Sequence, residues 1–266
     1  MRMLSMGRRA LALGLVGLLV LAGAAGAAEV RVMTSGGFTA AYRVLGPEFE
    51  RATGHTLSTA LGASMGNAPD AIPQRLGRGE PADVVILAAE GLEALVRAGH
   101  VVPGSRVDLA ESLIGMAVRA GAPRPDISSV EAFKRTLLEA RSIAYSASAS
   151  GVYISTQLYQ RLGLADQLMP KSRRILSERV GSVVARGEAE IGFQQVSELL
   201  PIQGIDYVGL IPRELQQVTV FSAGLAAKAE QPEAARALIR FLSAPAARDT
   251  IARTGLEPMA APELVR

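Results

Sequence analysis

Apolar and polar positions recur along this chain with two different periods, and these periods predict strands and helices in turn. Residues 29–33 alternate and then become apolar, as a strand does, whereas apolar residues recur at helical spacing over 39–53. The segment 81–87 ends in a continuous apolar run, which is typical of a buried parallel strand. Because strands and helices keep alternating after this point, the sequence predicts an α/β fold.

Two long apolar strands, one beginning near Leu113 and one around Val220, lie about a hundred residues apart. Two such strands predict that the chain crosses twice between two lobes. The middle of the chain then forms one lobe, and both ends build the other. We therefore expect lobe I to comprise 28–113 plus 222–266 and lobe II to comprise 114–221. This division leaves a cleft that opens and closes about the two crossings.

The first 27 residues have the features of a secretory signal peptide. Three arginines and no acidic residue precede the apolar run 10–21, and the small residues at 25–27 fit a cleavage site. The apolar run is short for a bilayer span of about 20 residues, so a retained membrane anchor is the weaker alternative. We expect residues 1–27 to be removed and the mature protein to lie in the periplasm.

The charge balance excludes some classes of partner. The chain has 28 Lys and Arg against 25 Asp and Glu, and three of the basic residues lie in the predicted leader, so the mature chain is formally neutral. This balance gives no electrostatic reason to expect nucleic acid as a partner. With no cysteine and two separated histidines, the sequence provides no clustered set of metal ligands, and we expect neither a metal nor another cofactor.

The turn that follows the first predicted strand is a candidate ligand site. Residues 35–37 add almost no side-chain bulk where a helix is about to begin, so the free N–H groups of that helix can face an anion. Stretches around Ser64, Ser150 and Gly181 have the same serine or glycine before a helix. A capped turn explains one such stretch without any ligand. Four of them together predict a pocket for a small anion.

Four segments that extend over nearly all of the mature chain resemble a known family. They are FERATG at 49–54, GEPADVVI at 79–86, ARGEAEIGF at 185–193 and PEAARALIRFLSAP at 232–245. In order and spacing they resemble the molybdate-type periplasmic substrate-binding proteins, a branch of the two-lobed type II binding proteins. The resemblance implies an α/β fold with a hinged cleft and a monomer that captures a small anionic ligand without making or breaking a bond. It also implies an inner-membrane ABC permease as the partner.

In that family, serines, backbone N–H groups from four loops and one tyrosine hold the oxyanion, and the resemblance assigns these roles to eleven residues here. They are Ser35, Gly36, Gly37, Ser64, Met65, Ser150, Gly151, Val180, Gly181, Gln194 and Gln195. The place of the first serine falls on or next to Gly37, and that of the tyrosine falls on Gln194 or Gln195. Glycine in place of serine, and an amide in place of a phenol, leave more room and add an acceptor. We therefore expect an organic carboxylate first and an inorganic oxyanion second.

Two further functions share parts of these motifs. A subunit that presents its ligand to a membrane sensor kinase would have the same cleft and need no permease. A secreted serine hydrolase would use the five-residue elbow around Ser64, with Asp83 and His100 following in the hydrolase order. Asn67 and two nearby prolines interrupt the helix that this elbow requires, so the hydrolase is the weakest of the alternatives.

Some long side chains are also candidates for the pocket. Four arginines can reach a cleft and grip a carboxylate, or lie in solvent on helix faces; they are Arg43, Arg75, Arg78 and Arg179. Arg179 comes first among them because it directly precedes the fourth loop. Tyr145 and Tyr153 flank the third loop, and each either lines the pocket or packs in the core.

Overall fold

A computed structural model describes residues 26–259. The predicted signal peptide therefore lies outside the described residues, apart from Gly26 and Ala27. Within 26–259, none of the helices combines the length and apolar character that crossing a bilayer requires.

Strands and helices alternate through most of the described chain, as the hydrophobic pattern predicts. The strands are β1 Glu29–Thr34, β2 Thr56–Leu61, β3 Val84–Ala88, β4 Val107–Ser112, β5 Ile114–Arg119, β6 Ile143–Ser146, β7 Ser172–Ile175, β8 Ile191–Gln195, β9 Ile205–Leu210, β10 Thr219–Leu225 and β11 Glu257–Pro258. The helices are α1 Gly36–Thr53, α2 Ile72–Gly77, α3 Ala89–Arg97, α4 Val130–Glu139, α5 Ala149–Tyr153, α6 Tyr159–Arg161, α7 Ala165–Leu168, α8 Val180–Ala185, α9 Val196–Leu199, α10 Pro232–Ser243 and α11 Arg248–Arg253. A π-helical turn, Ile154–Leu158, joins α5 to α6.

The two ends of the described chain build a six-stranded sheet, which we call the six-stranded unit together with its helices. The strand order is β11-β4-β10-β3-β1-β2; β1 runs parallel to β2 and β3, and β10 runs antiparallel to β3 and β4. The apolar side of α1 packs on this sheet through Phe38, Leu45 and Phe49, which are all fully buried. Burial of such side chains is the main favourable term that holds a helix against a sheet.

The middle of the chain builds a five-stranded sheet, and we call it with its helices the five-stranded unit. Its strand order is β7-β6-β8-β5-β9, with β6 parallel to β7 and β8 and with β5 antiparallel to both β8 and β9. Phe133 on α4 meets Phe193 on β8 edge to face, with ring centroids 5.8 Å apart, in a core of its own. Two sheets with separate cores confirm the predicted two-lobed α/β class.

The chain crosses between the units at two adjacent places. The strand expected to begin near Leu113 is β5, which begins at Ile114 in the five-stranded sheet, whereas β4, which the pattern did not predict, ends in the six-stranded sheet at Ser112. The return passes through residues 216–218 into β10, all of which lies in the six-stranded sheet. The expected boundary between 221 and 222 therefore falls inside a strand. We propose 113 and 218 as the ends of the crossings.

A glutamine side chain ties the two crossings together. The Gln216 amide accepts a hydrogen bond from the N–H of Ile114 at 3.0 Å and donates one to the carbonyl of Ile114 at 2.7 Å. It thereby occupies both backbone groups of the first residue of β5, as a neighbouring strand would do.

Candidate functional site

A cavity of about 210 Å³ lies between the two units. The chain segments that follow β1, β2, β6, β7 and β8 line it, so the ends of strands from both sheets face one another. Its polar lining includes Ser35, Ser64, Asp70, Ser146, Ser148, Ser150, Glu178, Arg179, Gln194, Gln195 and Glu198. Ligands of open α/β sheets bind at such strand ends.

Ser35 lies between β1 and α1 at one wall of the cavity. Its N–H donates to the carbonyl of Ile86 at 2.8 Å, and its carbonyl accepts a hydrogen bond from the hydroxyl of Thr39 at 2.8 Å, so the turn is held in place. The Ser35 hydroxyl is buried but has no hydrogen-bond partner within residues 26–259. The side chain therefore presents an unused donor and acceptor beside the start of an 18-residue helix.

Gly36 lets the five-stranded unit approach the start of α1, because a Cβ atom there would overlap the carboxylate of Glu198. A Cβ atom at Gly37 would overlap the ring of Phe221 on β10, so Gly37 permits close packing within the six-stranded unit itself. The hydroxyl of Ser197 also donates to the carbonyl of Gly37 at 2.7 Å. Both glycines line the cavity, and the missing side chain at Gly36 brings α9 against the helix start.

Serines from both units meet on a second side of the cavity. The N–H of Ser64 donates to the hydroxyl of Ser148 at 3.2 Å, which links the loop after β2 to the loop after β6. The Ser64 hydroxyl accepts a hydrogen bond from the N–H of Ala88 at 2.9 Å. In the loop after β6, the hydroxyls of Ser146 and Ser150 lie 3.2 Å apart. These contacts keep several hydroxyl groups at the cavity wall.

The end of β8 places a buried carboxyl group in the cavity wall. Glu198 lies on α9, is 8% exposed, and accepts a hydrogen bond at Oε1 from the Gln194 amide at 2.9 Å. The oxygen of the Gln194 amide accepts a hydrogen bond from the N–H of Val180 at 2.9 Å, and the two hydrogen bonds fix the orientation of the amide. Burial raises the pKa of Glu198 to about 7, although the positive charge of Arg179 and the Gln194 hydrogen bond act in the opposite direction.

Three buried polar atoms of the cavity wall lack a hydrogen-bond partner among the described residues. They are the Ser35 hydroxyl, Oδ1 of Asp70 and Oε1 of Gln195. The Gln195 amide nitrogen is occupied, because it donates to the hydroxyl of Thr219 at 3.0 Å. Buried polar groups in proteins are nearly always hydrogen-bonded. Their concentration at one cavity therefore indicates a ligand that supplies the partners.

The charged groups of the cavity differ from the expected ring of uncharged donors, since three acids and one arginine line it. Both carboxylate oxygens of Glu178 accept hydrogen bonds from Arg186, at 2.9 and 3.0 Å, which neutralises this acid. The raised pKa of Glu198 leaves it partly protonated near neutral pH. Arg179 donates to the carbonyl of Glu198 at 3.3 Å and brings a positive charge to the wall.

Seven of the eleven residues expected at the ligand line this cavity, and four do not: Met65, Gly151, Val180 and Gly181. Met65 packs against the core of the six-stranded unit. At Gly151, a Cβ atom would overlap the carbonyl of Ser146, so this glycine permits a tight turn. The N–H of Val180 is occupied by Gln194, and Gly181 packs against Ile202.

The other candidate side chains are distributed as follows. Arg75 and Arg78 both pair with Glu80 at 2.7 Å, away from the cavity, and of the four arginines only Arg179 lines it. The hydroxyl of Tyr153 donates to the carbonyl of Leu215 at 2.7 Å. Tyr145 is buried in the same core and, like Tyr153, does not line the cavity.

The arrangement of a serine hydrolase is not formed within residues 26–259. The carboxylate of Asp83 accepts hydrogen bonds from the backbone N–H groups of Arg31 at 2.8 Å and Gln231 at 2.9 Å, so it fixes the start of β3. No hydrogen bond joins Asp83, His100 and Ser64 among these residues.

Sequence reasoning missed Glu198, Asp70 and Phe221 as parts of the cavity wall. The signal for Glu198 was an acid three residues after Gln195, in a short segment that also contains the apolar residues Val196 and Leu199. An acid in the first turn of a helix is ordinarily explained by the helix dipole, which hid this role.

Comparisons with known proteins agree with this architecture. Residues 30–257 match the family model described as bacterial extracellular solute-binding protein. The molybdate-binding protein ModA of Rhodobacter capsulatus is 30% identical over 249 residues, covering 92% of this chain and 94% of that one. The solved periplasmic molybdate-binding protein of Azotobacter vinelandii has a TM-score of 0.70 at 23% identity, covering 88% of this chain and 100% of that one. This last likeness concerns the fold.

A further relative corrects one expectation. Aconitate isomerase from a Pseudomonas species is 51% identical over 230 residues, covering 86% of this chain and 88% of that protein. An isomerase makes and breaks bonds, so the expectation of a protein that is not an enzyme is wrong. A resemblance to solute-binding proteins did not distinguish capture from catalysis, because one fold can host both kinds of function.

Proposed function

Because this chain belongs to the bacterial extracellular solute-binding proteins, we propose that it binds a polycarboxylate of the aconitate class between its two units and isomerises it. The support in sequence is the relative that is 51% identical and is named for this reaction. The support in geometry is the cavity between the units, with the start of α1 and the unpaired hydroxyl of Ser35 in its wall.

The observation that carries the proposal is the start of α1 beside the unpaired hydroxyl of Ser35. The first N–H groups of a helix have no partner within that helix, and they favour an anion. A carboxylate there accepts hydrogen bonds from the first turn and from Ser35, while Arg179 on the opposite wall supplies a positive charge. A second carboxylate of the same molecule can then interact with the second wall.

The size of the cavity favours an organic ligand over a small oxyanion. Its volume of about 210 Å³ is far above the roughly 10–15 Å³ that a single water molecule requires on the same measure. A single tetrahedral oxyanion leaves much of this space unfilled, whereas a branched carboxylate fills it and reaches both walls. Gln194 and Gln195, at the place of the tyrosine in the family, fit this difference because amides both donate and accept.

The chemistry of aconitate determines what such a site must do. Its CH₂ carbon is saturated and lies between a carboxylate and the double bond, so removal of a proton there gives a delocalised anion. Return of a proton to the other end of the three-carbon unit shifts the double bond. The conformation in which the carboxylates are held then decides whether the product is cis or trans, and no double bond has to rotate.

The test is a direct assay with the purified mature protein. Starting separately from cis- and trans-aconitate, proton NMR should show both samples approaching one mixture, with heat-inactivated protein as the control. Absence of interconversion from either side, with folded protein, would overturn the proposal.

The second candidate is capture without turnover, as part of an ABC import system with an inner-membrane permease or as a subunit of a sensor. The relatives named for molybdate binding favour it. Thermal stabilisation by molybdate but not by aconitate, in protein that interconverts no aconitate, is the result expected from it.

A further inference from the structure

We propose that Glu198 is the group that takes the proton from one carbon of the ligand and returns it to another. The inference rests on the proposed isomerase function and assigns the proton transfer to one carboxyl group.

The contacts of Glu198 leave one of its two oxygens available. Oε1 is held by the Gln194 amide at 2.9 Å, and that amide is itself held by the N–H of Val180 at 2.9 Å. Oε2 receives no hydrogen bond from a residue in the described range 26–259. The carboxyl group is therefore fixed in orientation at a cavity wall, with one oxygen that can exchange a proton with a ligand.

Glu198 also lies where the ligand is held. Only a glycine fits at position 36, since any Cβ atom there would overlap the Glu198 carboxylate. The carboxyl group consequently touches the first residue of α1, whose N–H groups are the anion site of the proposed function. A ligand carboxylate bound at that helix start would bring its adjoining carbon atoms next to Glu198. Geometry of this kind is the first requirement for a general base.

The surroundings of Glu198 suit a group that must both accept and donate a proton. Burial raises its pKa to about 7, so both forms are populated near neutral pH. Arg179 is the charged group facing it from the start of α8, and the first turn of α1 has no acidic residue. The other ionisable groups of the wall are Asp70 and Glu178, the latter paired with Arg186.

The step balances without any further reactant. The Glu198 carboxylate removes a proton from the saturated carbon, and the electron pair of that C–H bond forms a new double bond to the central carbon. The electron pair of the former double bond moves to the far carbon, which takes the proton from the Glu198 carboxylic acid. The carboxylate is regenerated and nothing is oxidised or reduced.

The test compares Glu198→Gln with the wild type. The substitution keeps the size and a hydrogen-bonding amide but removes proton transfer, so turnover should fall by about 100-fold or more. Stabilisation of the variant by aconitate, measured as a thermal shift, should persist. Glu198→Asp should recover part of the activity, and Glu139→Gln, on the exposed end of α4, is the matched control.

Each outcome decides a different question. If the wild type does not interconvert aconitate, the proposed function fails and this inference fails with it. If the wild type is active and Glu198→Gln stays within threefold of it, the proton is moved by another group. If folded Glu198→Gln loses both turnover and the thermal shift, the residue serves binding, and the inference is overturned.

A solvent label gives a readout that a structural role would not affect. In D₂O the wild type should carry part of the substrate's own hydrogen to the product carbon, because one carboxyl group takes and returns it, and should place deuterium there in the turnovers in which Glu198 first exchanges its proton with solvent. Glu198→Gln should incorporate deuterium more slowly by the same factor as it loses turnover. Label incorporation at the wild-type rate in this variant would contradict the assignment.

Discussion

The two walls of the cavity are built from different chemistry. The six-stranded unit contributes the start of α1, with two glycines and the hydroxyls of Ser35 and Ser64. The five-stranded unit contributes Arg179 and Glu198 together with the amides of Gln194 and Gln195. One wall mainly offers uncharged donors that suit binding, and the other holds the groups whose charge can change. On the proposed mechanism, the six-stranded unit supplies the anion site and the five-stranded unit supplies the proton-transfer group, and the two meet only across the cleft.

Among the substitutions that test this division of roles, one that disturbs the contact between Gly36 and Glu198 should have the largest effect on turnover. We expect Gly36→Ala to displace the carboxyl group and to lower turnover by about 100-fold, as misplacement of about 1 Å can do. Overpacking should also lower stability by about 1–3 kcal/mol. Initial rates and a thermal melt measure the two effects.

Gly46→Ala in the same helix is the matched control for that substitution. A Cβ atom at position 46 would meet a methyl group of Leu57 at 3.2 Å, which can give way, and the ring of Tyr42 at an ordinary contact distance of 3.8 Å. Turnover should stay unchanged, and stability should rise by up to about 1 kcal/mol through helix propensity. Equal losses in both variants would mean that α1 tolerates no added methyl group, and Gly36 would have no special relation to Glu198.

The pH dependence of the free energy of unfolding tests the protonation of Glu198 in the charged wall. Burial raises the pKa of Glu198 from 4.5 to about 7, so the native state binds a proton more tightly than the unfolded chain does. The resulting stabilisation is complete below about pH 4.5 and is lost as pH rises through about 7. The wild type should therefore lose on the order of 3 kcal/mol relative to Glu198→Gln between pH 4 and pH 8. Denaturant unfolding of both proteins at these pH values measures the difference, and parallel curves would contradict it.

Arg179 tests whether the charged wall also contributes to binding. Arg179→Ala should raise KM by about 10- to 100-fold, the cost of losing a hydrogen bond to a charged group. The pKa of Glu198 should rise further, because the positive charge that lowers it is removed. A pH–rate profile should show the acidic limb moved to higher pH. Arg135→Ala, on an exposed part of α4, is the control, and an unchanged KM in both variants would exclude Arg179 from the ligand.

The smallest effect is expected for a substitution in the uncharged wall, Ser35→Ala. Ser35→Ala should weaken aconitate binding by about tenfold, the value of one hydrogen bond. It should not lower the stability of the unliganded protein, because the Ser35 hydroxyl has no protein partner within 26–259. Ser112→Ala removes another buried hydroxyl with no partner in the described chain, away from the cavity, and should leave affinity unchanged. Calorimetric titration measures both, and equal affinities would remove Ser35 from the site.

The hydrophobic pattern predicted those strands and helices whose sequence signal lies within a single segment of the chain. The apolar run before Ala88 predicted a buried strand, and the Pro232 start with an apolar face predicted α10. β9 was missed because its residues are half-buried without alternation, and it includes Gly209 with a left-handed φ of 152°. β4 was also missed, since apolar and polar residues do not alternate regularly over 107–112.

The lining of the cavity was predictable only where it is formed by the turn that directly follows a strand. Residues 35–37 were found in this way, because a serine and two glycines before a helix are visible in the sequence. Glu198 was not predicted, because its position in the cavity wall depends on packing against Gly36, and the adjoining contact from Ser197 to Gly37 joins residues 160 positions apart. Val180 does not line the cavity, and its N–H is occupied by a side chain from another element, which the local sequence does not indicate.

The amide of Gln216 has a consequence for motion. Because it grips both backbone groups of Ile114, the outgoing and returning strands cannot slide or twist separately at the point where they leave the six-stranded sheet. The two crossings are therefore coupled, and we expect them to act as one hinge about which the two units rotate around a single axis. On the proposed mechanism, opening of the cleft would carry Glu198 away from Gly36, and each closure would bring its carboxyl group back to the start of α1.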